Sequence, residues 1–161
     1  MKHHHIYNTH LLLLTAIGLW LGMLQACEIE KSCNGNLDGF WRLEQIDTMA
    51  TGGHTDLTAS NRFWSFQGKL VVLQKTWQKN PSNSDDPDII CSFERDGDTL
   101  RLFSPNFLFR PEGDPPMKQN DIHFLMLYGV NQLEESFFIR HLSSKHLILE
   151  TPELRINLEK F

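Results

Sequence analysis

Closely spaced strand-like segments fill the last part of the chain. Segments 135–142 (ESFFIRHL), 146–150 (HLILE) and 154–161 (LRINLEKF) are joined by three-residue turns, and the last of them alternates apolar and polar residues. A period of two is typical of strands with one buried face. Turns this short join antiparallel neighbours. The pattern therefore predicts an antiparallel meander at the end of the chain.

Similar segments recur upstream. They predict strands at 39–46, 62–67, 70–77, 89–95 and 99–103, and Asp96-Gly97 is a strong hairpin signal between the last two. Eight strands are enough to close a barrel, and closure removes the unpaired edges that an open meander would expose. The predicted fold class is all-β, an eight-stranded antiparallel up-and-down barrel with one short helix, spanning residues 37–161.

Three stretches interrupt this pattern. Segment 48–61 is rich in Gly, Thr, Ser and Asn and predicts a loop, and the four prolines of segment 104–120 argue against a central strand there. Segment 122–128 predicts a short helix capped by Asp121 and ended by Gly129. The residues expected on its buried face are Ile122, Leu125 and Met126. Alternation within the same segment also fits a strand, and we favour the helix.

Gly39 and Trp41 open the first predicted strand. Glycine lets the chain bend tightly into a strand, and tryptophan is large enough to close one end of a barrel. The indole N–H is then free to reach a backbone carbonyl. Alternation places Trp41, Leu43 and Gln45 on one face, and we expect Trp41 and Leu43 to point inward.

The first 26 residues read as an export signal. Lys2 begins a positive region, and the apolar stretch 11–26 is short for a membrane-spanning helix. It ends in Leu24-Gln25-Ala26-Cys27, which resembles the lipobox of bacterial lipoproteins. That resemblance implies cleavage before Cys27 and acylation of Cys27. The alternative is an ordinary signal peptide cut after Ala26. Residues 27–36 are polar and predict a tether.

Removal of residues 1–26 would leave 135 residues with 14 Lys and Arg against 20 Asp and Glu, a net charge of −6. This balance argues against a nucleic-acid surface and against electrostatic docking on anionic lipid. The lipid on Cys27 is therefore the one membrane contact that we expect. It would hold a monomeric protein in the bacterial cell envelope, with the outer membrane as the favoured site.

Two further cysteines are open to pairing. Cys33 follows Cys27 in the predicted tether, and Cys91 lies in a predicted strand. In an oxidising compartment a Cys33–Cys91 disulfide would attach the tether to the barrel. The alternative is a buried Cys91 that acts as a small hydrophobic residue and a free Cys33.

The first strand also carries a family likeness. Gly39-Phe40-Trp41 resembles the glycine–any–tryptophan motif of lipocalins at the start of the first strand. Segments 127–137, 142–145 and 154–161 are similar to the end of the lipocalin-like domain of small bacterial lipoproteins. The resemblance implies an eight-stranded barrel with Trp41 at its closed end and a mouth opposite. It also implies a basic residue from the last strand across Trp41, for which Arg155 is the nearest candidate.

Aromatic residues are numerous enough to line such a barrel, and the alternative is that they fill it. The expected function is binding of a small apolar ligand inside the barrel. The second hypothesis is a protein–protein interaction module with a filled core, contacting another envelope protein. The candidate pocket residues are Phe63, Trp64, Phe66, Trp77, Phe93, Phe103 and Phe124.

Three consecutive apolar residues, Phe107, Leu108 and Phe109, lie inside the proline-rich stretch. A loop with three bulky apolar residues is expected to cover or contact something. They are candidates for a lid over the pocket, for a partner-binding site, or for packing on the outer wall.

No catalytic motif stands out, and we expect a binding protein without cofactor rather than an enzyme. His141 and His146 flank a turn without further ligands at metal-binding spacing. The acidic loop residues Asp85, Asp86 and Asp88 lack the spacing of a calcium loop. We therefore predict no metal site.

Overall fold

The computed structural model describes residues 34–75, 86–108 and 113–161, which lie in one compact unit. Nine strands and one α-helix, α1, are found in these ranges, together with three 3-10 turns at Gly35–Leu37, Thr58–Ser60 and Gln119–Asp121. Helix α1 spans Ile122–Met126. The strands are β1 Gly39–Thr48, β2 Gly53–Asp56, β3 Arg62–Gln67, β4 Leu70–Lys75, β5 Ile89–Asp96, β6 Thr99–Phe107, β7 Glu135–Leu142, β8 His146–Glu150 and β9 Leu154–Lys160.

Eight of these strands close into a ring. Antiparallel pairing runs from β1 to β3 and then through each successive strand to β9, and β9 pairs back onto β1 from Trp41↔Lys160 to Thr48↔Leu154. The predicted fold class, an eight-stranded antiparallel up-and-down barrel with one short helix, is confirmed. Within the described ranges no helix has the length and hydrophobicity needed to span a membrane.

The ninth strand, β2, lies in the segment predicted to be a loop. It forms a hairpin with the distal part of β1, from Gln45↔Asp56 to Thr48↔Gly53. All four of its residues are exposed. A strand without a buried face has no apolar alternation, and therefore its sequence gives no strand signal.

Strand β6 is longer than predicted because it continues through Pro105. Ser104 has φ +51°, and the β5–β6 register shifts between Ile90 and Ser92. The carbonyl of Pro105 accepts a hydrogen bond from the Met117 N–H. The edge of β6 at Pro105 is therefore covered by the segment that contains Met117. Proline is tolerated at a bulge of this kind, where no ladder donor is needed.

A bulge in β1 also changes which side chains point inward. The β1–β9 register shifts between Leu43 and Gln45, with Leu43 opposite Leu158 and Ile46 opposite Ile156. Beyond the bulge Ile46, rather than Gln45, therefore shares the inner face with Trp41 and Leu43. The expectation that Gln45 shares that face is wrong for this reason.

Side chains from all eight ring strands form the core. Each fully buried large apolar side chain contributes about 1.5 to 3 kcal/mol relative to exposure. The buried residues include Trp41, Leu43, Trp64, Phe66, Val71, Leu73, Ile89, Phe93, Leu100, Leu102, Phe137, Leu147, Leu149, Ile156 and Leu158.

Two segments cover the ends of the ring. At one end, called the base, the 3-10 turn Gly35–Leu37 buries Leu37 completely. Asn34 donates hydrogen bonds to the Asp38 carboxylate and to the Gly68 carbonyl. Residues 34–36, predicted as part of the tether, are therefore part of the fold.

At the other end, called the mouth, the β6–β7 connection crosses the ring. Leu125 of α1 and the following Tyr128 and Val130 are buried in the core. The helix is present, as favoured over a strand, and Gly129 follows with φ +83°. Met126 is 54% exposed, so the helix buries Leu125 but not Met126.

Candidate functional site

The base of the barrel is built around Trp41. Its side chain is fully buried, and its Nε1–H donates to the Leu37 carbonyl at 2.7 Å. The Nζ of Lys160 lies 4.7 Å from the centroid of the Trp41 ring and donates to the Asn36 carbonyl. A Cβ on Gly39, which has φ +124°, would lie 2.7 Å from the Lys160 Cε. Glycine is therefore needed beside this lysine.

Arg155 lies elsewhere, and the assignment of Arg155 to the base is corrected. It pairs with Asp47 near the mouth end of β1, far along β9 from Trp41. Its Nη2 lies 2.6 Å from the Glu150 Oε1. The last strand supplies the cation over Trp41, as the resemblance implies, but that cation is Lys160.

The predicted pocket residues divide between the two faces of the wall. Trp64, Phe66 and Phe93 point inward and belong to the core. Phe66 contacts Trp64 and Phe93 with ring centroids 6.0 and 5.2 Å apart, and Phe137 adds a further contact to Trp64 at 5.8 Å. These four rings form a continuous inner aromatic wall.

Phe63 and Phe103 are not pocket residues, because consecutive positions on a strand face opposite ways. Phe63 lies on the outward face of β3 and stacks on Phe40, with ring centroids 4.4 Å apart. Phe103 lies outside β6, with the Arg101 guanidinium carbon 5.0 Å from its ring centroid. Trp77 lies outside the described residues.

The remaining apolar candidates lie near the mouth. Phe107 ends β6 and contacts Phe124 of α1 with ring centroids 5.8 Å apart, and both are partly buried against the core. Leu108 donates its N–H to the Asp88 carbonyl. Phe109 lies outside the described residues. Phe107 is therefore part of the wall that holds α1, rather than part of a free loop.

A charged cluster lies at the mouth beside these residues. Arg62 and Lys75 are cross-strand partners at the ends of β3 and β4. The Asp86 Oδ2 lies 2.8 Å from the Arg62 Nη2 and 3.5 Å from the Lys75 Nζ. Arg62 has the same strand parity as the inward Trp64 and Phe66, so this ion-pair cluster is directed into the barrel mouth.

Tyr128 lies directly under this cluster. Its ring is fully buried, and the Arg62 guanidinium carbon lies 5.9 Å from the ring centroid. Burial raises the pKa of the Tyr128 hydroxyl above its ordinary value; the Arg62 cation lowers this pKa by a smaller amount, and the carboxylates of Asp88 and Asp86 raise it further. Burial also raises the pKa of Asp88. The mouth thus combines partly desolvated charges with a buried phenol.

Three buried polar atoms on side chains of the barrel interior have no hydrogen-bond partner among the described residues: the Arg62 Nε, the Trp64 Nε1 and the Tyr128 hydroxyl oxygen. Buried polar groups are nearly always paired, so each of these unpaired atoms is unusual. We call Arg62, Trp64 and Tyr128 the donor cluster.

A sequence profile of the lipocalin-like domain family matches residues 22–161. The chain belongs to the lipocalin-like domain family. Among solved structures, a lipocalin-like protein from Bacteroides uniformis ATCC 8492 is 20% identical with a TM-score of 0.58, covering 79% of this chain and all of that one. An uncharacterized protein from Bacteroides eggerthii DSM 20697 is 15% identical with a TM-score of 0.55, covering 77% and 98%. No curated protein matches the chain.

The donor cluster of this lipocalin-like protein is only partly visible in its sequence. Trp64 is a predicted pocket residue, whereas Arg62 and Tyr128 are not. Arg62 could have been found from strand alternation, because it shares the face of Trp64 and Phe66. A charged residue on the inner face of a predicted strand is unusual. Tyr128 gave no comparable signal, because only the fold of the β6–β7 connection brings it beneath Arg62.

Cys91 lies in the lipocalin-like core, 2% exposed, and its thiol forms no disulfide within residues 34–75, 86–108 and 113–161. Burial raises the pKa of this thiol to about 12. Cys33 and the acylation candidate Cys27 lie outside the described residues, so the proposed disulfide stays a prediction.

The remaining ionisable candidates do not converge on a metal. His141 and His146 are both exposed. Within ranges 34–75, 86–108 and 113–161, no three His, Cys, Asp or Glu side chains come together as a metal site.

Proposed function

We propose that this lipocalin-like protein is a lipid-anchored envelope protein that binds a small, largely apolar molecule inside its barrel. The observation that carries this proposal is the inner aromatic wall of Trp64, Phe66, Phe93 and Phe137, in mutual contact within a closed ring. Ligand sites are mostly apolar and aromatic, with a few placed polar groups. The donor cluster supplies such groups beside the wall.

Binding to this wall is tested with the neutral fluorescent probe N-phenyl-1-naphthylamine. We expect its fluorescence to rise when it is titrated with the purified protein in lipid nanodiscs, corrected with empty nanodiscs. Phe93→Ala alters the inner wall, and we expect it to change the probe's dissociation constant about fivefold or more. Phe103→Ala is the matched control, because Phe103 lies on the outer face of the same sheet.

Equal affinity of the wild type, Phe93→Ala and Phe103→Ala would place the probe outside the barrel and contradict binding at the inner wall. Absence of any fluorescence change with the wild type would contradict ligand binding itself. Circular dichroism of each variant verifies that the barrel is folded.

We further propose that Cys27 carries the lipid and that residues 1–26 are removed. The support is the sequence Leu24-Gln25-Ala26-Cys27 after an apolar stretch. Acylated chains hold a protein on a membrane through the hydrophobic energy of their methylene groups. The attachment then leaves a short tether before the fold, which begins by Asn34. We propose a monomer attached in this way to the bacterial outer membrane.

The anchor is tested by metabolic labelling with an alkyne-bearing fatty acid. Cys27→Ala should abolish the label and move the protein out of the membrane fraction. Cys33→Ala is the matched control and should keep both. Retention of label in Cys27→Ala would exclude this anchor site, and separation of inner and outer membranes tests the location.

A second candidate function is a protein–protein interaction module with a filled core. It is favoured by the outward aromatic cluster of Phe40, Phe63 and Phe161, in which the exposed fraction of Phe161 is 79%. Exposed aromatic residues are enriched at protein interfaces. In this alternative the fluorescent probe fails to bind the barrel, and Phe161→Ser weakens recovery of an envelope partner while a substitution of the exposed Met126 does not.

A further inference from the structure

We propose that the donor cluster binds an oxygen-bearing head group of the ligand, a carboxylate or a carbonyl, by donating hydrogen bonds to it. This inference rests on the proposed function, because it specifies the polar end of the molecule whose apolar part contacts the barrel. The ligand class is therefore an amphipathic molecule with an apolar body and one acceptor-rich end.

The hydrogen-bonding capacity of the three residues determines the polarity of the head group. The Nε–H of Arg62 and the Nε1–H of Trp64 donate and cannot accept, and the Tyr128 hydroxyl is able to donate. All three atoms are buried without a partner in the described part of the chain. An unpaired buried donor destabilises the folded protein. A ligand acceptor would relieve this cost, whereas a donor-only head group would not.

Arg62 and Tyr128 adjoin each other near the mouth, and Trp64 lies deeper along β3, opposite Trp41. Arg62 and Trp64 are two residues apart on the inner face of β3, and the Arg62 guanidinium carbon lies 5.9 Å from the centroid of the Tyr128 ring. Tyr128 and Trp64 are both fully buried. A head group beside Arg62 therefore lies at the boundary between the charged mouth and the inner aromatic wall.

The surrounding charges disfavour a cationic head group. Arg62 and Lys75 share the single carboxylate of Asp86, at 2.8 and 3.5 Å. Desolvation favours the protonated form of the nearby Asp88. A quaternary ammonium would meet the cations Arg62 and Lys75, whereas a carboxylate or an amide carbonyl would meet hydrogen-bond donors.

The test uses three compounds with the same apolar body and different heads: decanoate, decanamide and decyltrimethylammonium, each below its micelle-forming concentration. Binding is followed by displacement of N-phenyl-1-naphthylamine from the protein in nanodiscs, with empty nanodiscs as the blank. We expect decanoate or decanamide to bind at least tenfold more tightly than decyltrimethylammonium. Preference for decanoate identifies an anionic head group, and equal binding of both identifies a neutral carbonyl oxygen as sufficient.

Tyr128→Phe removes one donor and keeps the ring. We expect it to weaken decanoate and decanamide binding about fivefold to tenfold and to leave displacement by the ammonium compound unchanged. Arg62→Met should weaken binding of the same two compounds, and Arg95→Met is its matched control, because Arg95 is exposed and donates to the Gly97 carbonyl in the turn after β5.

The outcomes separate this inference from the proposed function. If the three compounds bind equally and Tyr128→Phe binds them as the wild type does, apolar binding stands and the head-group inference is overturned. If neither the probe nor any ten-carbon compound binds, the proposed function fails and this inference fails with it.

Discussion

Lys160 covers Trp41 across the seam that closes the barrel. The two residues are partners in the β1–β9 ladder, and the Lys160 Nζ lies 4.7 Å from the centroid of the Trp41 ring. The same ammonium donates to the Asn36 carbonyl, and the Trp41 Nε1–H donates to the Leu37 carbonyl. The first strand, the last strand and the 3-10 turn are therefore joined at one place. The contacts that close the ring therefore also close its base.

Trp41→Phe is expected to lower the free energy of unfolding by about 2 to 4 kcal/mol, because it removes buried volume and leaves the Leu37 carbonyl without its donor. Urea unfolding followed by circular dichroism measures the change. Phe138→Leu is the control, since Phe138 is 45% exposed. An unchanged unfolding midpoint for Trp41→Phe would show that the base does not support the barrel.

Lys160→Met is expected to cost about 0.5 to 2 kcal/mol through loss of the cation–π contact. A double-mutant cycle with Trp41→Leu, which removes the aromatic ring, measures the coupling between the two side chains. We expect the double variant to lose less than the sum of the single variants. Strict additivity would mean that the ammonium acts only through Asn36.

The position of Lys160 illustrates what the sequence was able to predict. All eight ring strands lie where alternation placed them, since a half-buried strand has a period of two. The bulge in β1 has no such pattern. With an uninterrupted register Lys160 would lie opposite Arg42, and the one-residue shift at Glu44 brings it opposite Trp41 instead. Parity within β9 already separates the two basic residues, because Lys160 shares the face of the buried Ile156 and Leu158 and Arg155 does not, but the exact partner of Lys160 depends on the bulge.

The donor cluster shows a second limit. Trp64 was recognisable because it lies in an aromatic strand. Tyr128 is brought to Arg62 by a connection whose sequence fits both a helix and a strand. Its burial depends on how α1 and Gly129 turn across the mouth, which is a tertiary effect. The alternation of residues along the strands therefore predicts the aromatic wall of the site, but it does not predict that Tyr128 and Arg62 come together.

Gly129 is expected to be the least replaceable glycine at the mouth. A Cβ there would lie 2.7 Å from the Ile156 Cδ1, and the backbone has φ +83°. We expect Gly129→Ala to lower the unfolding free energy by about 2 to 4 kcal/mol through strain and overpacking. Gly68→Ala is the matched control, with φ +62° and nothing within 4 Å of the added Cβ. It should cost about 1 kcal/mol.

The difference between the two glycine variants measures the packing of the β6–β7 connection on the barrel. Equal losses would mean that the connection moves away from Ile156 at no cost. Addition of Ile156→Val to Gly129→Ala should recover part of the loss, because it removes the nearest methyl group.

Two buried carboxyl groups are expected to give stability profiles of opposite slope. Burial raises the pKa of Glu135, whereas hydrogen bonds from Arg155 and Arg140 lower the pKa of Glu150. When the pKa of an acid is higher in the folded state, the folded state still binds the proton at a pH where the unfolded chain has lost it. The free energy of unfolding therefore falls as pH rises from the pKa in the unfolded chain to the pKa in the folded protein. The lowered pKa of Glu150 contributes stability above the unfolded value, and this is lost on acidification.

Glu135→Gln should therefore gain stability relative to the wild type as pH rises above the pKa of glutamate in the unfolded chain. Glu150→Gln should be destabilised at pH 7, and its deficit should shrink towards pH 3. Urea unfolding at several pH values measures both differences. Parallel profiles for Glu135→Gln and the wild type would show that Glu135 titrates as it does in the unfolded chain.

Cys91 is expected to resist thiol reagents in the folded protein. Its side chain is 2% exposed and burial raises its pKa to about 12, so little thiolate forms at pH 8. In the Cys27→Ala/Cys33→Ala variant, we expect iodoacetamide to label Cys91 only after urea unfolding. Rapid labelling of the folded variant would contradict the burial. With Cys33 present, protection of Cys91 that persists in urea and disappears only on reduction would reveal the Cys33–Cys91 disulfide.

Tyr128→Phe is expected to stabilise the ligand-free protein. The hydroxyl is buried and has no hydrogen-bond partner among the residues that the structure describes, so its removal relieves a desolvation cost. We expect a gain of about 1 kcal/mol in unfolding free energy, measured by urea unfolding without ligand. Binding residues often reduce stability in this way, because their partner is the ligand. A loss of stability would show that the hydroxyl has a structural partner and would remove the reason to assign it to a head group.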